Sequence, residues 1–216
     1  MEFLFWHVDS LVCCMLKIYV AQAETLCEVT QAPLEKLTAE RRKKVQALRG
    51  IKDRRRAIAA GLLLREALLK EHILYEDDAF TKEKHQKPCL KSGGCFFNLS
   101  HAGNWAACAI CDVPVGIDVE TMDRFLDPVK NKRLAGRILT TEEYRLWEKT
   151  YSGEELLIRW TKKESSVKRT GEGLSRDFRQ VDTLHGDWYQ TYRLFDGAQL
   201  SVCTKMPQQP VFLEIP

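Results

Sequence analysis

Residues 95–120 hold three strand-like runs in immediate succession, CFFNLSHAG, NWAACAICD and VPVGIDVE. They are broken only by turn signals at Ala102–Asn104 and Val113-Pro114. Helical patterns flank this block. Before it lie Leu37–Leu48 and Asp53–His72, the second with Ala57, Gly61, Leu64 and Leu68 on one apolar stripe. After Pro128 come TTEEYRLWEK, opened by a capping box of Thr140 and Glu143, and a long helix from Glu154 to Thr170, stopped by Gly171 and Gly173. LKIYVA reads as a first strand, and WYQTYRLF and AQLSVCT as a hairpin around Asp-Gly. Residues 75–94, polar and with Pro88 and the Gly93-Gly94 pair, read as largely loop. Strand, helices and strands thus occur twice, which predicts an α+β chain of two similar halves, 15–120 and 121–216. Residues 1–14 then form an N-terminal extension, and a cofactor site is expected between the halves.

Composition narrows the function classes. The formal net charge is +3, from 33 Lys and Arg against 30 Asp and Glu, too mild to announce a nucleic-acid protein. Nine of the sixteen residues from Arg41 to Arg56 are basic, but no aromatics interleave them as on a base-stacking surface. Eight cysteines sit mostly in apolar runs. Cys108 and Cys111 have CxxC spacing without a second pair, so a zinc site is not expected and reduced thiols in a cytoplasmic protein are. The apolar opening has no basic start and is interrupted by Asp9, which argues against both an export signal and a membrane span.

The chemistry concentrates in three short segments. In VGIDVE, alternation puts Val115, Ile117 and Val119 on one face and Gly116, Asp118 and Glu120 on the other. Two neighbouring carboxylates repel, and burying one unpaired is costly, so the pair asks for a cation. In WTKKESSVKRTGEGL, Trp160, Glu164 and Lys168 are four apart and share a helix face. In FNLSHAG, Ser100 and His101 face opposite ways on a strand, which suits phosphate recognition better than a nucleophile–base pair. Three acids (Asp118, Glu120, Glu164) suit Mg²⁺, a hard cation that takes oxygen ligands and shares substrate phosphates. With Lys168, His101 and the 41–56 run beside them, they read as a metal holding a diphosphate, without any P-loop.

These three segments, in this order and spacing, resemble the signature of the 4′-phosphopantetheinyl transferases of the surfactin-synthetase-activating type. HQKPCL resembles the Gly-Lys-Pro segment that precedes them in that family, with Gln86 in place of the glycine. The resemblance runs from about Leu16 to the C-terminus. It implies a monomeric pseudo-dimer of two α+β halves with coenzyme A in the cleft between them. The implied reaction is Mg²⁺-dependent transfer of the 4′-phosphopantetheine arm of coenzyme A to a serine of an apo carrier protein (acyl, polyketide or peptidyl). Adenosine 3′,5′-bisphosphate is released. Matched by motif, Asp118, Glu120 and Glu164 fall on the metal-binding acids and Lys168 on the active-site lysine. Arg41, Lys44, Arg56, Lys87, Ser100, His101 and Lys168 fall on coenzyme A contacts. Glu164 is either the base that takes the serine proton or a third metal ligand. No membrane or nucleic-acid partner is expected. A coenzyme-A-binding protein without catalysis and a nucleic-acid binder using residues 41–56 are the rival readings.

Overall fold

The computed structural model describes residues 15–29, 33–82, 87–173 and 176–215; the extension 1–14 and Gln86 fall outside them. In chain order the elements are β1 (Lys17–Gln22), α1 (Ala23–Val29), α2 (Ala39–Ala47), α3 (Ile51–Lys70), β2 (Phe80–Lys82), β3 (Pro88–Leu90), β4 (Phe96–Ala102) and β5 (Trp105–Cys111). There follow β6 (Gly116–Glu120), α4 (Pro128–Ile138), α5 (Thr141–Trp147), α6 (Gly153–Thr170), β7 (Trp188–Arg193), β8 (Gln199–Thr204) and β9 (Val211–Glu214). One sheet has the order β4-β5-β1-β9 and another the order β6-β8-β7, all antiparallel except β9, which runs parallel to β1. The mixed α+β class is as expected. The connectivity also repeats. With the two-stranded β2–β3 sheet set aside, a strand, three helices and two more strands give the local orders β4-β5-β1 and β7-β8-β6, with the last strand of each set in the middle.

Three pairings add to the sequence reading. β6, at the end of the stretch 15–120, pairs with β8 in the second sheet, Ile117 opposite Val202. The last strand, β9, returns to the first sheet beside β1, which the hairpin signal before it gave no reason to foresee. Within 75–94, otherwise largely without helix or strand among the described residues, the short β2 and β3 pair with each other, Phe80 opposite Leu90.

Burial explains why β5 is apolar throughout. Ala106, Cys108 and Ile110 join a core with Leu63, Leu64 and Leu68 of α3, whereas Ala107, Ala109 and Cys111 join one with Ile117, Val119, Leu200 and Val202 of the second sheet. A strand buried on both faces cannot alternate polar and apolar residues. Helix α6 packs on the other face of the second sheet, and that interface is polar: Thr161 Oγ1 lies 2.8 Å from Ser201 Oγ. The helix is stopped at each end by its sequence. Ser152 accepts the Glu155 N–H, and Gly171 takes the left-handed φ of 73° that glycine adopts without strain.

Directly before Glu164, Lys163 is fully buried and pairs with equally buried Glu143 at 2.7 Å. Its ammonium also donates to the carbonyls of Phe178 and Val181, and Glu143 closes the capping box with Thr140 while accepting both the N–H and hydroxyl of Thr183. Because every charge is paired and hydrogen-bonded, the network ties α5, α6 and the 178–183 segment together without leaving a buried ion uncompensated. In the basic run, Lys44 pairs with Glu40, Arg55 with Glu24 and Arg56 with Asp53, so part of its charge is neutralised locally. Among the described residues, no helix is long and apolar enough to cross a membrane.

Gly116 marks where α6 comes closest to β6. A Cβ there would overlap the Ser165 carbonyl oxygen and lie 2.5 Å from the Arg169 nitrogen. Both obstacles are helix backbone and cannot rotate away. Gly116→Ala is therefore expected to destabilise the protein by about 1–3 kcal/mol, read as a lower urea midpoint with an unchanged slope. An unchanged midpoint would show that the helix is not fixed against the strand.

Candidate active site

β4 and β6 are edge strands of different sheets, and they meet side by side without a backbone ladder. Side chains of β4 satisfy the edge of β6 instead: Asn98 Oδ1 accepts the Ile117 N–H at 2.9 Å and Ser100 Oγ accepts the Val119 N–H at 3.2 Å. These two bonds bracket Asp118. They also set the register in which Asp118 and Glu120 face α6.

A cavity of about 840 Å³ opens beside this seam. One wall is basic and polar: Arg41 and Lys44 from α2, Ser100 and His101 from β4, with Ala57 and Ala60 of α3 behind them. The other is acidic: Asp118 and Glu120 from β6, Trp160, Glu164 and Lys168 from α6, and Arg124 from the short 3-10 turn Met122–Phe125. The structure thus brings together all but two of the residues picked from sequence. Arg56 and Lys87 are not among the described lining residues. Arg56 bonds Asp53 on its own helix, and Lys87 Nζ donates to the carbonyls of Arg169 and Val115 at 3.0 and 3.4 Å, bracing α6 against the chain entering β6.

Within the site, Asp118 Oδ1 accepts from Lys168 Nζ at 2.6 Å and from Ser100 Oγ at 2.9 Å, and Lys168 reaches Ser100 at 2.9 Å as well. Asp118 Oδ2 is buried and has no hydrogen-bond partner among the described residues. A buried carboxylate oxygen left unsatisfied is costly, and a cation seated against it removes that cost. Glu120 Oε1 accepts from Trp160 Nε1 at 3.3 Å and from Arg124 Nη1 at 3.1 Å. Among the described residues, no three His, Cys, Asp or Glu side chains form a ready-made metal cage. A carboxylate wall of this kind matches a cation that completes its shell with substrate phosphate and water.

The acids carry the strain of their proximity. Burial, then the charge of Asp118, pushes the Glu164 carboxyl up to about 7, with Lys168 opposing. Glu120 is raised too, by burial first and by Asp118 second. Trp160 could be read from its spacing to Glu164. Arg124 and the role of Asn98 were missed, although Arg124 stands four residues after Glu120 and Asn98 two before Ser100.

Folding raises the Glu164 pKa above its unfolded value, so the folded state holds a proton that the unfolded chain releases. Stability from this group is present at low pH and lost as pH rises from about 4.5 to about 7. Glu164→Gln removes that dependence. The variant is expected to gain about 2 kcal/mol more over the parent at pH 8 than at pH 5, measured by urea unfolding without divalent cations. Equal gains at the two pH values would contradict the assignment.

Comparison with known proteins agrees with this geometry. The family model of the 4′-phosphopantetheinyl transferase superfamily matches residues 114–209. A 4′-phosphopantetheinyl transferase of Bacillus subtilis is 30% identical over 169 residues, covering 74% of this chain and 72% of that protein. The 4′-phosphopantetheinyl transferase psf-1 of Bacillus pumilus is 28% identical, covering 93% and 94% of the two chains, and Sfp of Bacillus subtilis strain 168 is 26% identical, covering 81% and 84%. The chain therefore belongs to the 4′-phosphopantetheinyl transferase superfamily and is a transferase.

Proposed function

We propose that this protein transfers the 4′-phosphopantetheine arm of coenzyme A to a serine of an apo carrier protein, with Mg²⁺, releasing adenosine 3′,5′-bisphosphate. The observation that carries the reading is the cavity itself, with cations along one wall and three carboxylates along the other. That polarity suits a ligand with a phosphate at one end and a metal-bridged diphosphate at the other. The repeated strand order of the two sheets supports reading the chain as a pseudo-dimer with coenzyme A between its halves. The halves are taken as 15–120 and 121–216, with β6 pairing across into the second sheet and β9 into the first. The protein is taken to act as a monomer in the cytoplasm.

Each residue then has a task. Arg41 and Lys44 hold the nucleotide phosphate, and Ser100 and His101 contact coenzyme A further along the cavity. Asp118, through its unpartnered Oδ2, and Glu120 would hold Mg²⁺, with Glu164 beside them as third ligand or as base. Bound there, Mg²⁺ neutralises the charge that develops on the diphosphate. Serine is a weak nucleophile until its proton is removed. Glu164, pushed up to about 7, is poised to take that proton near neutral pH, and its burial keeps competing water away. Lys168, already 2.6 Å from Asp118, places a positive charge where the bisphosphate departs. Arg56 and Lys87 are taken as further coenzyme A contacts from their place in the motifs; without ligand, Arg56 bonds Asp53 and Lys87 donates to the carbonyls of Arg169 and Val115.

The test is mass spectrometry of apo carrier proteins incubated with this protein, coenzyme A and Mg²⁺. A mass gain of one phosphopantetheine arm is expected, lost in EDTA and in Asp118→Ala. Coenzyme A binding without any mass gain on acyl, peptidyl or polyketide carriers would instead favour the non-catalytic reading.

The nucleotide end has its own test. If Lys44 faces the 3′-phosphate, Lys44→Ala weakens coenzyme A about tenfold while leaving 3′-dephospho-coenzyme A nearly unchanged, since a charge-assisted hydrogen bond contributes about 1.5–3 kcal/mol. Equal weakening of both ligands in calorimetric titration would place Lys44 elsewhere.

A further inference from the structure

Arg124 is held at the acidic end of the cavity in an unusual way. Its guanidinium lies 5.1 Å over the Trp160 ring and donates to Glu120 Oε1, the same oxygen that accepts the Trp160 indole N–H. Two donors of different character therefore meet on one carboxylate oxygen. Trp160 is wedged by Phe178, with ring centroids 5.4 Å apart, and has little freedom. The Arg124 side chain is 56% exposed and follows β6 on a short turn, so it can swing into water without stranding a buried charge. A guanidinium cannot lose its charge at any working pH, so it leaves only by being displaced. Lys168, the other cation at the acids, differs: it has Ser100 as a second acceptor.

We propose that Arg124 is an internal counter-ion for the metal-free site. It occupies Glu120 until a divalent cation binds, then withdraws along the face of Trp160, while the Trp160 N–H keeps the carboxylate aimed. Arg124 thereby keeps the acidic wall from being an uncompensated cluster before cation and substrate arrive, and lowers affinity for the cation alone. The inference rests on the reading of Asp118 and Glu120 as a divalent-cation site.

The experiment titrates Mg²⁺ into the coenzyme A complex by calorimetry, for the parent and for Arg124→Gln. In parallel, the Arg124 side-chain Nε–H resonance, assigned by its loss in Arg124→Gln, is followed during the titration of the parent. Arg124→Gln is expected to tighten Mg²⁺ about twofold to fivefold, the value of a half-exposed ion pair. The Arg124 resonance is expected to shift and broaden as the site fills. Unchanged or weaker Mg²⁺ affinity in the variant overturns the proposal. So does tighter affinity with a stationary Arg124 resonance, which would reduce the effect to the general field of one positive charge. If the parent complex binds no Mg²⁺ at all, the metal reading itself fails and this inference falls with it; Mg²⁺ binding indifferent to Arg124 sinks the inference alone.

Discussion

The site depends on a seam between two sheet edges. An unpaired edge strand exposes backbone N–H groups that must find acceptors, and pairing β4 to β6 by a ladder would merge the sheets. Asn98 and Ser100 supply the acceptors from their side chains instead, at 2.9 and 3.2 Å. This keeps the strands adjacent but lets the sheets diverge, and the divergence leaves room for a cavity. Because the bonded groups are the N–H of Ile117 and of Val119, the residue between them, Asp118, is fixed in register. The side chain that satisfies one edge bond, Ser100, also contacts the Asp118 carboxylate.

A second constraint is electrostatic. Three carboxylates near one another, two of them buried, would by themselves oppose folding. The protein meets this in three ways. Lys168 and Ser100 neutralise one oxygen of Asp118, and Trp160 and Arg124 hold Glu120. Glu164 has neither arrangement and takes up a proton more readily instead. One oxygen, Oδ2 of Asp118, is left unsatisfied. Of the oxygens of these three acids, this is the one that is fully buried without a hydrogen-bond partner among the described residues, and a cation seated against it would relieve that cost.

Much of this was legible in the sequence, for identifiable reasons. Strand alternation in VGIDVE and the four-residue spacing of Trp160, Glu164 and Lys168 report side-chain direction directly, because both periods are local. Helix stops at Gly171 and the capping box at Thr140 are local too. What was not legible depends on contacts distant in sequence. The return of β9 to β1 joins residues nearly two hundred positions apart, and nothing in Val211–Glu214 names its partner. The membership of β6 in the second sheet is invisible for the same reason. Lys87 donates to the backbone carbonyls of Arg169 and Val115, contacts that leave no pattern in sequence. Lys163 is wholly buried against Glu143, a partner twenty residues away that no local pattern names.

The placement of Lys163 next to Glu164 links these constraints. Adjacent helix residues point about 100° apart, so a helix that buries one side chain in a rigid network has fixed the direction of the next. Lys163 is held by Glu143 and two carbonyls, and Gly116 lets the same stretch of α6 lie directly on β6. The backbone of Glu164 is consequently fixed beside Asp118 and Glu120, where burial first and the charge of Asp118 second raise its pKa. A looser helix would let the carboxylate rotate into water and recover an ordinary pKa. The packing of α6 and the proton affinity of Glu164 are thus the same fact seen at two levels, and the buried ion pair on one side of the helix is what sustains the acid on the other.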